Sequence, residues 1–262
     1  MRPPHEGGTA VLHMNLKGWE FAAILIVIAL TMTIVLPVFS RAREASRRAS
    51  CQNNLKQWGL IMKMYANESR GERWPVLSAM PHNWLPDLDA VYPEYLTDPS
   101  ILISPDSPWA HLDDFSLKRR FHIQGEPGQF HPACAWHASY VYTGFTVQDD
   151  EQALALFRAS LSMPWDAFRE TDHRLEVPVW QGSSAGAGGA PRSGIAVMWT
   201  RLPLHEHEFG QRPPVANVLT MDGSVHAVRY HPDNASHNFP VTRISATTFG
   251  ATNPERPPDC LW

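Results

Sequence analysis

The sequence predicts an α+β fold in which a long N-terminal helix, apolar in its first half and amphipathic in its second, packs on an antiparallel sheet interrupted by proline-rich loops. Three observations predict it. Phe21 to Phe39, FAAILIVIALTMTIVLPVF, is nineteen residues without a charge. Beyond it Cys51, Leu55, Trp58, Met62 and Tyr65 recur at steps of four, three, four and three, which is one stripe of an amphipathic helix. Late in the chain, VANVLTMDGSVHAVRY (215–230) places two β-prone runs around Asp222-Gly223, a hairpin signature.

Taken in order, residues 1–17 contain proline and glycine but little apolar periodicity, and read as a leader or cytoplasmic tail, with Met14 as an alternative start. Residues 18–39 read as a transmembrane segment, because nineteen residues at about 1.5 Å each cross a bilayer core of about 30 Å. Twelve of the nineteen are Leu, Ile, Val or Phe, which favours insertion by about 4 to 7 kcal/mol. A cleaved secretory signal is a competing reading, but its apolar core runs to only about 7–15 residues. A buried core helix is another, but it needs polar positions at helical spacing, and only Thr31 and Thr33 interrupt this run.

Residues 40–70 read as the amphipathic continuation, so that one helix runs from about Gly18 to about Asn67. Pro37 is expected to bend it, since proline removes a backbone donor and clashes with the preceding turn. Gly71 and Pro75 supply the stop. The soluble domain then occupies 71–262. Residues 74–108 are rich in proline and aromatics, with ILIS (101–104) as a short strand. SYVYTGF (139–145) alternates like a strand, and DDEQALALFRASL (149–161) has the acidic start of a helix, with apolar Ala153, Leu154, Leu156, Phe157 and Leu161. EVPVWQ (176–181) and GIAVMWT (194–200) read as strands joined by the glycine-rich GSSAGAGGAPRS. Asp222-Gly223 is expected to form a tight turn with both residues at positive φ. The last thirty residues, with four prolines, read as irregular.

Composition narrows the function. A net charge of −4 with 22 basic and 26 acidic residues lacks the basic footprint of a nucleic-acid binder, so DNA and RNA are not expected partners. Three cysteines, Cys51, Cys134 and Cys260, form no CxxC site or disulfide framework. Cys134 and Cys260 could pair if the domain lies outside the cytoplasm; free buried thiols are the alternative.

Ser40 to Pro75 reads SRAREASRRASCQNNLKQWGLIMKMYANESRGERWP. It resembles the signature SRAREKARRxxCxxNLKQxGLAxxMYAxExxGxxP of bacterial proteins with a prepilin-type N-terminal segment, related to the major pseudopilin of type II secretion. LISPDSP (102–108) looks like that family's CPSDP segment without its cysteine, SYVYTG (139–144) resembles its SYxYxG strand, and ANVLTMDGSVHAV (216–228) is similar to its terminal hairpin. The resemblance covers about a third of the chain. It implies a pilin-like fold and a structural role in a pseudopilus or related type IV pilus-like filament. The implied partners are like subunits or other pseudopilins, an inner-membrane assembly platform and the lipid bilayer. The implied location is a single-pass protein of the bacterial inner membrane whose C-terminal domain is periplasmic, or extracellular in a filament.

It also assigns roles to residues. Glu20 matches the family glutamate by its spacing to Pro37, and would pair with the N-terminal amine of a neighbouring subunit to set axial register. Without a partner it would sit in the headgroup layer beside Lys17 and Trp19. Prepilin peptidases usually cut after glycine before Phe or Met. Here Gly18 is followed by Trp19, with the acid too early, whereas counting from Glu20 puts the cut between Asn15 and Leu16. Family members often carry a histidine ten residues before the hairpin aspartate; this chain has Arg212 there.

Enzymatic chemistry is not expected. His205 and His207 in LHEHEFG would share one face of an extended segment, half of a metal site, but no HExxH, third ligand or CxxC accompanies them. His226, His231 and His237 read as decoration of the hairpin and its exit. Some secretion pseudopilins bind calcium through a carboxylate- and carbonyl-rich loop. No EF-hand-like series is present, so no cofactor is expected, with calcium as the alternative left open. Asp222 reads as a turn residue rather than an acid catalyst. A membrane-tethered periplasmic binding protein that never polymerises is the alternative of a different class, and a tethered metal-dependent hydrolase around His205 and His207 is a third reading.

Overall fold

The computed structural model describes residues 18–69, 73–105, 107, 111–119, 122–136, 139–170, 195–202, 215–230, 239–250 and 257–260. The fold is α+β. The chain divides into two units, 1–46 and 47–262, and helix α1, Gly18–Glu68, contributes to both. Its bounds agree with the sequence reading to within a residue. Pro37 lies inside it.

In the first unit, every large apolar side chain from Phe21 to Phe39 is exposed. The only hydroxyls of that stretch are satisfied by the helix itself: Thr31 Oγ1 donates to the Ile28 carbonyl and Thr33 Oγ1 to that of Ala29, both at 2.8 Å. No polar side chain between Phe21 and Phe39 therefore needs water, which suits a helix surrounded by hydrocarbon.

The second unit is built on a four-stranded antiparallel sheet in the order β1-β2-β3-β4: β1 Tyr140–Val147, β2 Ala196–Thr200, β3 Val215–Thr220 and β4 Val225–Arg229. Cys51, Leu55, Trp58, Ile61, Met62 and Ala66 of α1 are buried in the core, and Tyr65 packs against its rim. The predicted stripe is thus the face that docks. At Gly59 the helix comes so near β3 that a Cβ would stand 3.1 Å from Leu219 Cδ1.

Between α1 and β1 the chain is mostly loop, with a one-turn helix α2, Leu88–Val91, capped by the Asp87 side chain. ILIS is not a strand. Residues Pro99–Leu102 form a single 3₁₀ turn, because the Asp98 carboxylate accepts the Ser100 amide at 2.9 Å and Pro99 presets the first φ. Ile101 and Leu102 are still buried, so the apolar content has gone into packing rather than a ladder. The loop also closes the outer edge of β1, where the Tyr142 amide donates to the Trp84 carbonyl at 2.8 Å.

Helix α3, Asp150–Ser162, starts where its acidic N-terminus predicts, with Asp149 Oδ1 accepting the Gln152 amide at 2.8 Å. Ala153 and Leu156 are buried, but Leu161 is exposed, one position past the buried face. Helix α4, Trp165–Glu170, follows, and a three-residue helical turn, α5 Arg243–Ser245, lies near the end of the chain. The proline- and tryptophan-rich middle finds its use here: Trp84 meets Trp165, Phe168 and Phe249 edge-on, with ring centroids 5.6, 6.2 and 4.8 Å apart. The readings at 176–181 and 182–193 lie outside the described residues.

Trp58 is fully buried at the centre of the docked face and its indole Nε1 donates to the Ile101 carbonyl at 3.4 Å. Trp58→Ala is expected to cost about 3–5 kcal/mol, measured by urea unfolding of the full chain in mild detergent. A loss below about 1 kcal/mol would show that the helix is not docked there.

Candidate functional site

From Cys51 to Glu68, α1 concentrates its polar contacts on the loops and strand it docks against. Asn54 Nδ2 donates to the Ile103 carbonyl at 3.0 Å, and Gln52 Nε2 to Asn217 Oδ1 on β3 at 3.2 Å. Cys51 Sγ lies 2.9 Å from Ser104 Oγ and 3.5 Å from the Tyr140 hydroxyl. Burial first, and then Cys51 beside it, push the Tyr140 hydroxyl well above the ordinary phenol range. At the far end, the Tyr95 hydroxyl donates to Glu68 Oε2 at 2.6 Å, which raises its pKa to about 12. The helix therefore closes its face with side chains that answer loop carbonyls and hydroxyls, leaving few buried polar groups to be desolvated without a partner.

The β3–β4 hairpin belongs to the same contact. Lys63 Nζ donates to the Asp222 carbonyl at 2.9 Å. The turn itself differs from the two-residue form expected. Only Gly223 is left-handed, at φ +90°, and among the described non-glycine residues only His82 has a positive φ. The Gly223 amide donates to the Thr220 carbonyl at 2.8 Å and the Thr220 amide to the Ser224 carbonyl at 2.9 Å, so Met221, Asp222 and Gly223 form a three-residue loop, the next commonest hairpin connection. Asp222 Oδ1 accepts from Thr220 Oγ1 at 2.6 Å, the Ser224 amide at 2.9 Å and Ser224 Oγ at 2.8 Å. These donors need the ionised carboxylate, which is why Asp222 is held below its ordinary value. Its contacts hold the loop from Thr220 to Ser224.

Cys134 and Cys260 form a disulfide across 126 residues, with Cα atoms 5.5 Å apart; Cys51 is a free, buried thiol. The disulfide sits in a small second core with Leu117 and Ile123. Beside it, the buried carboxylate of Asp259 accepts the His122 and Ile123 amides at 2.6 Å each, and its carbonyl accepts those of Lys118 and Arg119. The sequence reading left the cysteine pairing open and missed Asp259, Lys63 and the Asp87–Arg169 ion pair at 3.1 Å. Only Lys63, three to four residues from Leu60 and Asn67 on α1, carried a spacing that hinted at its surface position.

The predicted site residues are placed as follows. Glu20 is in the first turn of α1 and partly exposed, Gly18 and Trp19 precede it, and Trp19 is 70% exposed. Pro37 is within the apolar run. Asn15, Leu16, His205, His207, Arg212, His231 and His237 lie outside the described residues. His226 is exposed on β4, its Nε2 2.7 Å from Ser224 Oγ. Among the described residues no three His, Cys, Asp or Glu side chains converge as a metal site. A shallow depression between Trp74, Tyr142, Phe145, Ile195, Val197 and Met221 is lined almost wholly by apolar groups.

Residues 40–77 match the model of a family described as "Protein of unknown function (DUF1559)". The matched stretch is the amphipathic part of α1 and the first residues beyond it, where the docking contacts lie. No curated protein and no solved structure matches the chain.

Two outcomes follow from the hairpin and the disulfide. Because the folded pKa of Asp222 lies below its ordinary value, its stabilisation is present above the unfolded pKa and is lost as pH falls through the folded pKa. Protection of the β3–β4 turn amides against exchange, relative to the unfolded chain at the same pH, should therefore fall below about pH 4 in the wild type, and Asp222→Asn should remove that dependence. Cys134→Ser, or reduction, should lower stability by about 2–5 kcal/mol in denaturant unfolding; unchanged unfolding would show that the C-terminal segment is held without the bond.

Proposed function

We propose that this chain is a membrane-anchored structural subunit of a type II secretion pseudopilus or a related type IV pilus-like filament. The observation that carries the reading is the first half of α1: a helix apolar on every side, with all its large side chains exposed and its two threonine hydroxyls satisfied internally. A surface of that size does not stay in water. By length and composition this helix can cross a membrane, and the exposed face that suits lipid also suits packing against the same segment of neighbouring copies.

Glu20 is the one acid near the start of that segment. A carboxylate at the edge of hydrocarbon costs a few kcal/mol unless it reaches water or a cation. The N-terminal amine of an adjacent subunit would neutralise it and fix the axial step between copies. Processing by a prepilin peptidase would free that amine, at the Asn15–Leu16 or the Gly18–Trp19 bond. The Cys134–Cys260 disulfide supports a domain that faces an oxidising compartment. The count of positive residues around the anchor points the other way, with Arg41, Arg43, Arg47 and Arg48 after it and only Arg2 and Lys17 before. The disulfide and the resemblance of the signature segment together favour the outward domain. The partners in this reading are like subunits and an inner-membrane assembly platform; no catalysis and no cofactor are part of it.

Alkaline carbonate extraction and electron microscopy of sheared surface material test it together. The wild-type chain should stay with the membrane pellet and appear in filaments, with a processed N-terminus by sequencing. Glu20→Gln should stay in the pellet but give at least ten-fold fewer filaments, the loss equivalent to about 1.4 kcal/mol of subunit contact. A wild-type chain that remains unprocessed and monomeric in detergent would replace this reading with the tethered binding protein.

A further inference from the structure

Helix α1 carries an exposed basic belt just past its apolar segment. Arg41 and Arg43 are exposed and lie two and four residues beyond Phe39. Arg47 and Arg48 follow in the chain, so residues 40–50 hold four arginines and one acid, Glu44. None of residues 40–50 is buried; the docked stripe begins only at Cys51. These arginines are therefore not spent on the core.

At about 1.5 Å per residue, Arg41 and Arg43 stand roughly 3 and 6 Å beyond the end of the apolar run, within a headgroup layer about 5–7 Å thick. Arg47 and Arg48 stand roughly 12 and 14 Å beyond that end and reach back, because long side chains on a helix lean toward its N-terminus. A guanidinium presents a planar fork of donors that matches phosphate oxygens and never loses its charge. We propose that the Arg41–Arg48 belt binds the phosphates of anionic phospholipids in the leaflet where the anchor emerges. The inference rests on the anchoring reading above and adds to it a lipid class and the residues that select it. It also bears on topology: lipid phosphates compensate four positive charges that the loop-charge rule would otherwise keep in the cytoplasm. Leaving the bilayer for a filament then means exchanging those phosphates for contacts with neighbouring subunits.

The test uses the full chain reconstituted in phosphatidylcholine vesicles at low salt, with trace spin-labelled phosphatidylglycerol or phosphatidylcholine reporting the lipids held at the protein. The wild type should hold phosphatidylglycerol about five-fold more than phosphatidylcholine, the preference expected from each basic residue near the surface, and the preference should collapse in high salt. Replacing all four residues (Arg41→Gln, Arg43→Gln, Arg47→Gln, Arg48→Gln) should bring the ratio to parity, whereas Arg229→Gln on the exposed edge strand should leave it unchanged. Equal retention of the two probes by an inserted wild-type chain overturns the inference alone, as does a preference that survives in the quadruple variant. Equal retention together with loss of cross-linked oligomers in that variant would reassign the belt to a neighbouring subunit's carboxylates. Failure of the chain to insert in any vesicle would overturn the anchoring reading, and this inference with it.

Discussion

The docking of one helical face on one sheet is the constraint from which the second unit takes its form. Cys51, Leu55, Trp58, Met62 and Ala66 are buried on that face. Gly59 has no side chain where Leu219 arrives. Because the apolar face leaves the polar groups at its margins facing protein rather than water, each needs a partner, and Asn54, Gln52, Trp58 and Lys63 provide them to Ile103, Asn217, Ile101 and Asp222. The helix thereby fixes three separate stretches of chain: the 3₁₀ turn after Asp98, strand β3 and the β3–β4 loop. None of these is local to it in sequence, so the contact is paid in loop-closure entropy. The 126-residue span of the disulfide offsets part of that cost, since cross-linking removes disorder mainly from the unfolded chain.

What could be read from sequence followed from periodicity. The stripe from Cys51 to Tyr65 repeats at 3.6 residues because only one face meets the sheet, and its burial matches residue for residue except at Tyr65, which sits on the rim. The two runs of the hairpin do pair, Val218 opposite His226 and Ala216 opposite Val228, one residue away from the register a two-residue Asp-Gly loop would set. The failures have a common cause, which is a local hydrogen bond that periodicity does not register. ILIS has the composition of a strand, but Asp98 and Pro99 commit it to a turn first. Asp-Gly suggests a two-residue loop, but Thr220, Asp222 and Ser224 bond among themselves and need one residue more. Asp259 caps two amides 136 and 137 residues away, a partnership with no sequence signal at all.

The candidate site was legible to a different degree. The apolar run and the long helix that carries it could be read because they depend on composition along one stretch of chain, whereas the roles given to Glu20 and Pro37 rest on the resemblance. The aromatic cluster of Trp84, Trp165, Phe168 and Phe249 could not be, because its rings come from three separate segments of chain and edge-on pairing places no demand on spacing. Ten tryptophans in 262 residues could equally have marked an exposed binding surface. Among the described residues Trp58, Trp84 and Trp199 are instead among the most deeply buried side chains, so these three indoles serve the core.

The two halves of α1 differ in the number of faces that must be covered, and this decides what each can bind. Residues 51–66 bury one apolar side, and the chain's own sheet and loops cover that side. Residues 21–39 are apolar all round. No single sheet can cover such a surface, because a sheet reaches only one face of a helix at a time. Only a medium that surrounds the helix can do so, which means lipid or a bundle of like helices. The cost of moving from the first to the second is small for the aliphatic side chains, since neighbouring helices and acyl tails are about equally apolar. It is concentrated in the groups that are not apolar, Glu20 at one end and the arginines after Phe39 at the other. In the filament proposed above, polar residues at the two ends of the segment, rather than the nineteen residues between them, would set the balance between a chain that stays in the bilayer and one that leaves it.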